Sequence, residues 1–148
     1  MSAADGTLTV QVAIDCADPH ALVRFWAGAF GFEIEDHHEI VEQVIANGWA
    51  DESVAIEIDG RKAFADAAAC RDPRGRLPRL LFQKVPEPKT VKDRIHLDLK
   101  VPAEQLDAVT DRILTLGATK LWDGRQGPQT WVTYADPEGN EFCLSAIG

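Results

Sequence analysis

The sequence predicts an α+β fold built from two βαβββ units, and three observations predict it. A strand followed by a helix and a glycine stop occurs twice, at Gln11–Gly31 and at His96–Gly117. A turn leading into a strand also occurs twice: Asp72-Pro73-Arg74-Gly75 ahead of Leu80–Gln83 is answered by Asp136-Pro137-Glu138-Gly139 ahead of Asn140–Cys143. Between the copies, Pro86 to Arg94 is polar and marked by X-Pro steps that favour extended chain. The first unit therefore covers 8–85, the connection 86–94 and the second unit 95–147. Together they form one domain of 148 residues, long enough to bury about two-thirds of its unfolded surface.

Leu8 to Asp15 alternates and is rich in branched residues, so it reads as a strand with Gln11, Ala13 and Asp15 on one face. Asp18-Pro19 is a helix start, an N-cap side chain followed by proline at the first helical position. Leu22, Phe25, Trp26, Ala29 and Phe30 recur at helical spacing before Gly31 ends the helix; Trp26 belongs to its core face. A short strand follows at Phe32 to Glu35. The stretch of about 36–62 is an insertion: a helix over His37 to Asn47, then a hairpin turning at Asp59-Gly60. His37 and His38 point about 100° apart on that helix and are expected to face solvent; Trp49 is assigned to a lid. Ala67 to Arg71 and Leu80 to Val85 complete the first unit.

In the second unit, HLDLKV puts His96, Asp98 and Lys100 on one face and Leu97, Leu99 and Val101 on the other. A helix over Ala103 to Leu116 carries Leu106, Val109, Ile113 and Leu116 at core spacing, without a strong N-cap. Strands are predicted at Thr119–Trp122, Thr130–Ala135 and Asn140–Ser145.

The net charge of −9 argues against a nucleic-acid surface, because phosphate binding needs a concentrated basic field. Arg71, Arg74, Arg76 and Arg79 flank turn signals and read as a solvated loop. Cys16, Cys70 and Cys143 are odd in number and widely spaced, with no CxxC, which fits a reducing cytoplasm. No apolar run approaches the ~18 residues of a membrane span, and Met1 to Gly6 has no signal-peptide character. A cytoplasmic protein with no membrane partner is expected.

With these elements in place, the chain resembles the vicinal oxygen chelate superfamily, in its compact glyoxalase-like branch, over Leu8 to Ala146. The stretches that carry the resemblance are ADPHALVRFWAGAFGF, PRLLFQKVPEPKTVKDRIHLDLKV and DPEGNEFCL. It implies a curved mixed sheet around a central cavity, with a divalent ion held in the metal-dependent members by the first and last strands of each unit. Carried over position by position, it puts Gln11 at the first ligand position, Gln83 where those enzymes have Glu, His96 at a ligand histidine and Cys143 where they have another Glu.

Two carboxylates are thus missing, and glutamine cannot serve as the base that abstracts a carbon-bound proton. A true glyoxalase I is not expected and no metal is favoured; if one binds, Gln11, Gln83, His96 and Cys143 would hold it. The expected function is to bind or transform a small organic molecule in a cavity lined by Gln11, Gln83, His96, Asp98, Cys143, Trp122 and Trp131. His96 and Asp98 would be the acid/base pair, buried at one polar pocket, and the glutamines would orient the ligand. The alternative is a sequestering protein of the bleomycin-resistance type that binds an antibiotic or toxin without chemistry. A homodimer is implied by the resemblance alone.

Overall fold

A computed structural model describes residues 6–147; most of the N-terminal stretch read for a signal, residues 1–5, lies outside them. The chain divides into two compact units, 1–86 and 87–148.

The first unit runs β1 (Gln11–Cys16), α1 (Pro19–Phe30), β2 (Glu33–Ile34), α2 (His38–Ala46), β3 (Ala55–Ile58), β4 (Arg61–Phe64), β5 (Ala67–Arg71) and β6 (Arg79–Lys84). Its main sheet has the order β1-β6-β5-β2, with β1 parallel to β6 and the other pairs antiparallel. β1 begins at Gln11 rather than Leu8 because its ladder starts opposite Arg79. The residue before Arg79 is Pro78, which has no N–H to extend the ladder, and Leu8 and Val10 are left exposed.

α1 starts where the sequence predicts. The Asp18 carboxylate accepts from the Ala21 amide at 3.1 Å, Pro19 occupies the first turn, and Gly31 closes the helix in the left-handed region at φ 72°. Its buried face, Leu22, Val23, Phe25, Trp26 and Ala29, packs on β5 and β6, where Phe82 and Cys70 are fully buried. Each large apolar side chain buried this way stabilises the fold by about 1.5–3 kcal/mol. The insertion is α2 plus the β3–β4 hairpin, whose turn has Asp59 and Gly60 at φ 51° and 78°, the primed geometry that two-residue hairpins favour.

His37 and His38 do not face solvent as expected. His37 Nε2 donates to Glu35 Oε1 at 3.0 Å, and His38 Nδ1 accepts the Lys62 amide at 2.8 Å, tying α2 to the hairpin. Trp49 is exposed after the helix.

The second unit repeats the pattern as β7 (Asp98–Val101), α3 (Leu106–Leu116), β8 (Thr119–Gln126), β9 (Gln129–Ala135) and β10 (Glu141–Ala146), in the order β7-β10-β9-β8. Again the first and last strands are parallel and the rest antiparallel. The helix lacks a side-chain cap, as its sequence implies, and enters through a 3₁₀ turn at Ala103–Gln105. β8 runs four residues past Trp122, because Gly127 at φ 59° turns the chain into β9 and keeps Asp123 to Gln126 paired. The core is Val109 and Ile113 of α3 with Leu99, Tyr134, Phe142 and Leu144, in which the Tyr134 and Phe142 rings stack at 5.7 Å.

The Asp136-Pro137-Glu138-Gly139 turn is held by a buried carboxylate. Asp136 Oδ1 accepts the Glu138 and Asn140 amides at 2.9 and 3.0 Å, and Oδ2 accepts Asn140 Nδ2 at 2.9 Å. Asp72 does the same in the first unit, accepting the amides of Arg74, Arg76 and Leu77. The backbone donation holds the Asp72 carboxyl below its ordinary value, the Arg74 amide contributing most.

Candidate functional site

One face of the β7-β10-β9-β8 sheet gathers the chemistry-bearing residues of the second unit into transverse rows. Asp98 lies opposite Cys143, Cys143 opposite Thr133, and Thr133 opposite Trp122. The row exists because an irregularity between Lys120 and Trp122 re-phases β8 and brings Trp122 level with Thr133. Two residues along the strands come Lys100, Ser145, Trp131 and Gly124, on the same face by the period of two.

His96 lies just ahead of β7, and the chain is kept close by the Cys143 amide donating to the Leu97 carbonyl at 3.0 Å. Its Nδ1 meets Asp98 Oδ1 at 2.9 Å. The ligand-capable atoms of His96, Asp98 and Cys143 all lie within 4.8 Å of one another. The Cys143 thiol also contacts the Thr133 hydroxyl at 3.4 Å. These groups line a cavity of about 1230 Å³ that Trp122, Trp131, Lys92 and Glu141 also line, ample for a small organic molecule.

The connection forms part of the same wall. The Asp93 amide donates to Glu141 Oε2 at 3.3 Å, and the Glu141 amide donates back to Asp93 Oδ2 at 3.0 Å. Lys89 reaches both carboxylates. Burial, and then the negative charge of Glu141, push the Asp93 carboxyl upward.

Five of the expected cavity residues therefore meet on this face: His96, Asp98, Cys143, Trp122 and Trp131. His96 and Asp98 are exposed, not buried as expected: both stand at or just before the start of β7, where the strand has only β10 beside it. Gln11 and Gln83 belong to the first unit. There Gln11 pairs with Arg79 and Gln83 with Asp15, four register steps and about 13 Å apart along the strands, so that sheet does not bring the two glutamines together.

Gln11 has another partner. Arg79 Nη1 donates to its Oε1 at 2.7 Å, while Arg79 Nε and Nη2 clasp both oxygens of Glu35 at 2.7 and 2.9 Å. This corrects the reading of Arg79 as one arm of a solvated loop: β6 carries it onto the sheet. The clasp, with His37 adding a further hydrogen bond against the opposing effect of burial, lowers the Glu35 carboxyl to about 2.

Thr133, Glu141 and Gly124 were not singled out from sequence. The period of two carries the signal for the first two, since Glu141 precedes Cys143 by two and Thr133 follows Trp131 by two. The signal for Gly124 is a glycine inside a strand.

The three donor types gathered here are ones that can hold a divalent ion. An imidazole nitrogen, a carboxylate oxygen and a thiolate sulfur within one ion's reach are the three protein ligands of an open site, and His96, Asp98 and Cys143 would be those ligands.

Two βαβββ units, each with its first strand beside its last, define the fold class of the glyoxalase/bleomycin resistance/dioxygenase proteins. The chain belongs to the glyoxalase-like domain family, whose model matches residues 11–145. Among solved structures it is similar to a hypothetical protein from S. aureus at a TM-score of 0.62 and 10% identity, covering 97% of both chains. It is similar to a glyoxalase/bleomycin resistance protein/dioxygenase family enzyme from Burkholderia phytofirmans at 0.60 and 15%, covering 93% of this chain and 97% of that one. A glutamate-to-glutamine variant of the fosfomycin resistance protein FosX from Listeria monocytogenes, complexed with Mn(II) and 1S,2S-dihydroxypropylphosphonic acid, matches at 0.60 and 14%, covering 95% and 89%. At these identities the likeness is one of fold. No curated protein sequence matches. Among the described residues no helix is long and apolar enough to cross a membrane.

Proposed function

We propose that the chain binds a small organic molecule in the second unit's cavity and transforms it by proton transfer at His96. The observation that carries this reading is the 2.9 Å contact of His96 Nδ1 with Asp98 Oδ1 on the cavity wall, beside Cys143. A carboxylate accepting Nδ1–H fixes the imidazole tautomer and leaves Nε2 as the atom that takes and returns a proton. Asp98 is then a positioning residue, and Thr133 holds the Cys143 thiol in place.

A second reading is supported by the third donor. His96, Asp98 and Cys143 would hold a divalent ion, and such an ion supplies Lewis-acid polarisation of a bound oxygen. The thiolate favours zinc over manganese. The glutamines, placed among the cavity residues by resemblance, enter neither reading as ligands. The protein is further proposed to be cytoplasmic, in keeping with three widely spaced cysteines and no CxxC, and a homodimer, which light scattering tests.

The experiment begins with a ligand found by thermal-shift screening of small organic molecules. His96→Ala should abolish its conversion and Asp98→Asn should lower the rate by 10²-fold or more, on the order of a lost general base and its orienter. Unchanged turnover in both variants would refute the assignment. A ligand recovered unchanged from wild type would instead make the chain a sequestering protein. For the metal reading, cobalt(II) titration should produce a thiolate-to-cobalt absorption band that Cys143→Ser removes; absence of that band in wild type rejects it.

A further inference from the structure

Gly124 lies opposite Trp131 in the β8–β9 ladder. A Cβ built on Gly124 would fall 2.1 Å from Trp131 Cε2, 2.2 Å from Nε1 and 2.5 Å from Cζ2, far inside any non-bonded contact a Cβ makes. The indole therefore lies across the strand directly on the glycine backbone. Gly124 is absent from the glycines with positive φ, so a side chain is excluded there by space and not by backbone conformation. A glycine in mid-strand costs stability through chain entropy, and here its absence of a side chain makes room for the indole.

Trp131 is half-buried and, like Gly124, lines the cavity. The indole thus sits over the Gly124 backbone and also forms part of the cavity lining. Trp131 is also the diagonal neighbour of Cys143, since Thr133 stands opposite Cys143 and Trp131 is two residues before it in β9. Diagonal neighbours of this kind stand about 7–8 Å apart, roughly the width of one six-membered ring with its substituent.

We infer that Gly124 and Trp131 form an aromatic shelf that selects ligands carrying a flat ring directly attached to the polar group that reaches His96, Asp98 and Cys143. A flat π-system stacks on the indole at full contact, whereas a puckered saturated ring of the same size touches it along a few edges. Gly124 is a positioning residue: it sets the tilt of the indole and so the depth of the slot. The inference rests on the second unit's cavity being a small-molecule site.

The test uses the full chain labelled with fluorotryptophan, in which Trp131→Phe identifies the Trp131 resonance among the four tryptophans. The probes are two matched pairs, benzoate with cyclohexanecarboxylate and benzamide with cyclohexanecarboxamide, titrated by fluorine NMR. In each pair the flat member should bind roughly tenfold more tightly, the size of an aromatic stacking preference, and should move the Trp131 resonance. Gly124→Ala should move that resonance in the free chain and erase the preference within each pair. Trp131→Leu, which inserts nothing into the strand, should erase it too.

Equal affinity within both pairs, a Trp131 resonance that no probe moves, or a preference that survives Gly124→Ala would each overturn the shelf. A Trp131 resonance that shifts with protein concentration alone would also overturn it, since a second copy of the chain would then cover the ring. The outcomes separate from those of the proton-transfer reading. A ring preference that persists when His96→Ala fails to affect conversion leaves the shelf standing, and equal binding within the pairs beside a conversion that needs His96 removes the shelf alone.

Discussion

Cys143 and Asp98 face each other across the parallel pairing of β10 with β7, and this register brings a thiol and a carboxylate to the imidazole of His96. Each reaches the cluster by a different route: Asp98 as the first residue of its strand, Cys143 as the third residue of β10, and His96 from the chain just before β7.

Burial separates the fates of the three cysteines. Cys16 and Cys70 are buried, and burial, followed by the negative charge of Glu35, pushes the Cys70 thiol up to about 12. Iodoacetamide at mildly alkaline pH should therefore modify Cys143 first in the native chain, with Cys70 modified only on unfolding. Peptide mass spectrometry over a time course checks this. Equal native rates at Cys70 and Cys143 would contradict it.

A pH dependence of stability follows from the Arg79 clasp. Glu35 is held at about 2 against an ordinary 4.5; its folded value is depressed, so the folded state binds its proton less readily than the unfolded chain. The stabilisation is fully present above about 4.5 and is lost as pH falls toward 2. In full it would be roughly 3 kcal/mol, which solvent screening at the partly exposed Arg79 reduces to on the order of 1–2 kcal/mol. Denaturant midpoints of wild type and Glu35→Gln should differ near neutrality and converge in acid. A constant gap across that range would show that Glu35 does not carry the effect.

Much of the fold was legible because its signals are local. Asp18-Pro19 and Gly31 bracket α1, Asp59-Gly60 turns the insertion hairpin, and the repeated DP-x-G turns mark the last hairpin of each unit. Strand ends were less legible because they depend on partners: β1 stops short of Leu8 where β6 runs out at Pro78, and β8 continues to Gln126 because β9 pairs with it.

The site divides the same way. The period of two was enough to align His96 with Asp98, whereas the register that brings Cys143 and Thr133 beside them is a long-range property with no local signature. The Glu35–Arg79–Gln11 network joins residues up to 68 apart in sequence, and nothing near Gln11 announces that an arginine will take its side chain.

Asp136 offers a test of how far one buried carboxylate holds the β9–β10 turn. Asp136→Ala leaves the Glu138 and Asn140 amides without their acceptor and should destabilise the chain by about 2–3 kcal/mol, read as a fall in the denaturant midpoint. Asp136→Asn, which keeps an acceptor oxygen, should lose less. A loss below about 0.5 kcal/mol in the alanine variant, the range of an ordinary surface change, would mean that the turn stands without it.

The most direct measurement is conversion of a screened ligand by wild type and by His96→Ala, with binding and product both followed by mass spectrometry under identical conditions. The account predicts that wild type yields product, while the variant still binds the ligand and returns it unchanged. Product formed equally by both chains, or ligand returned unchanged by wild type, would contradict proton transfer at His96.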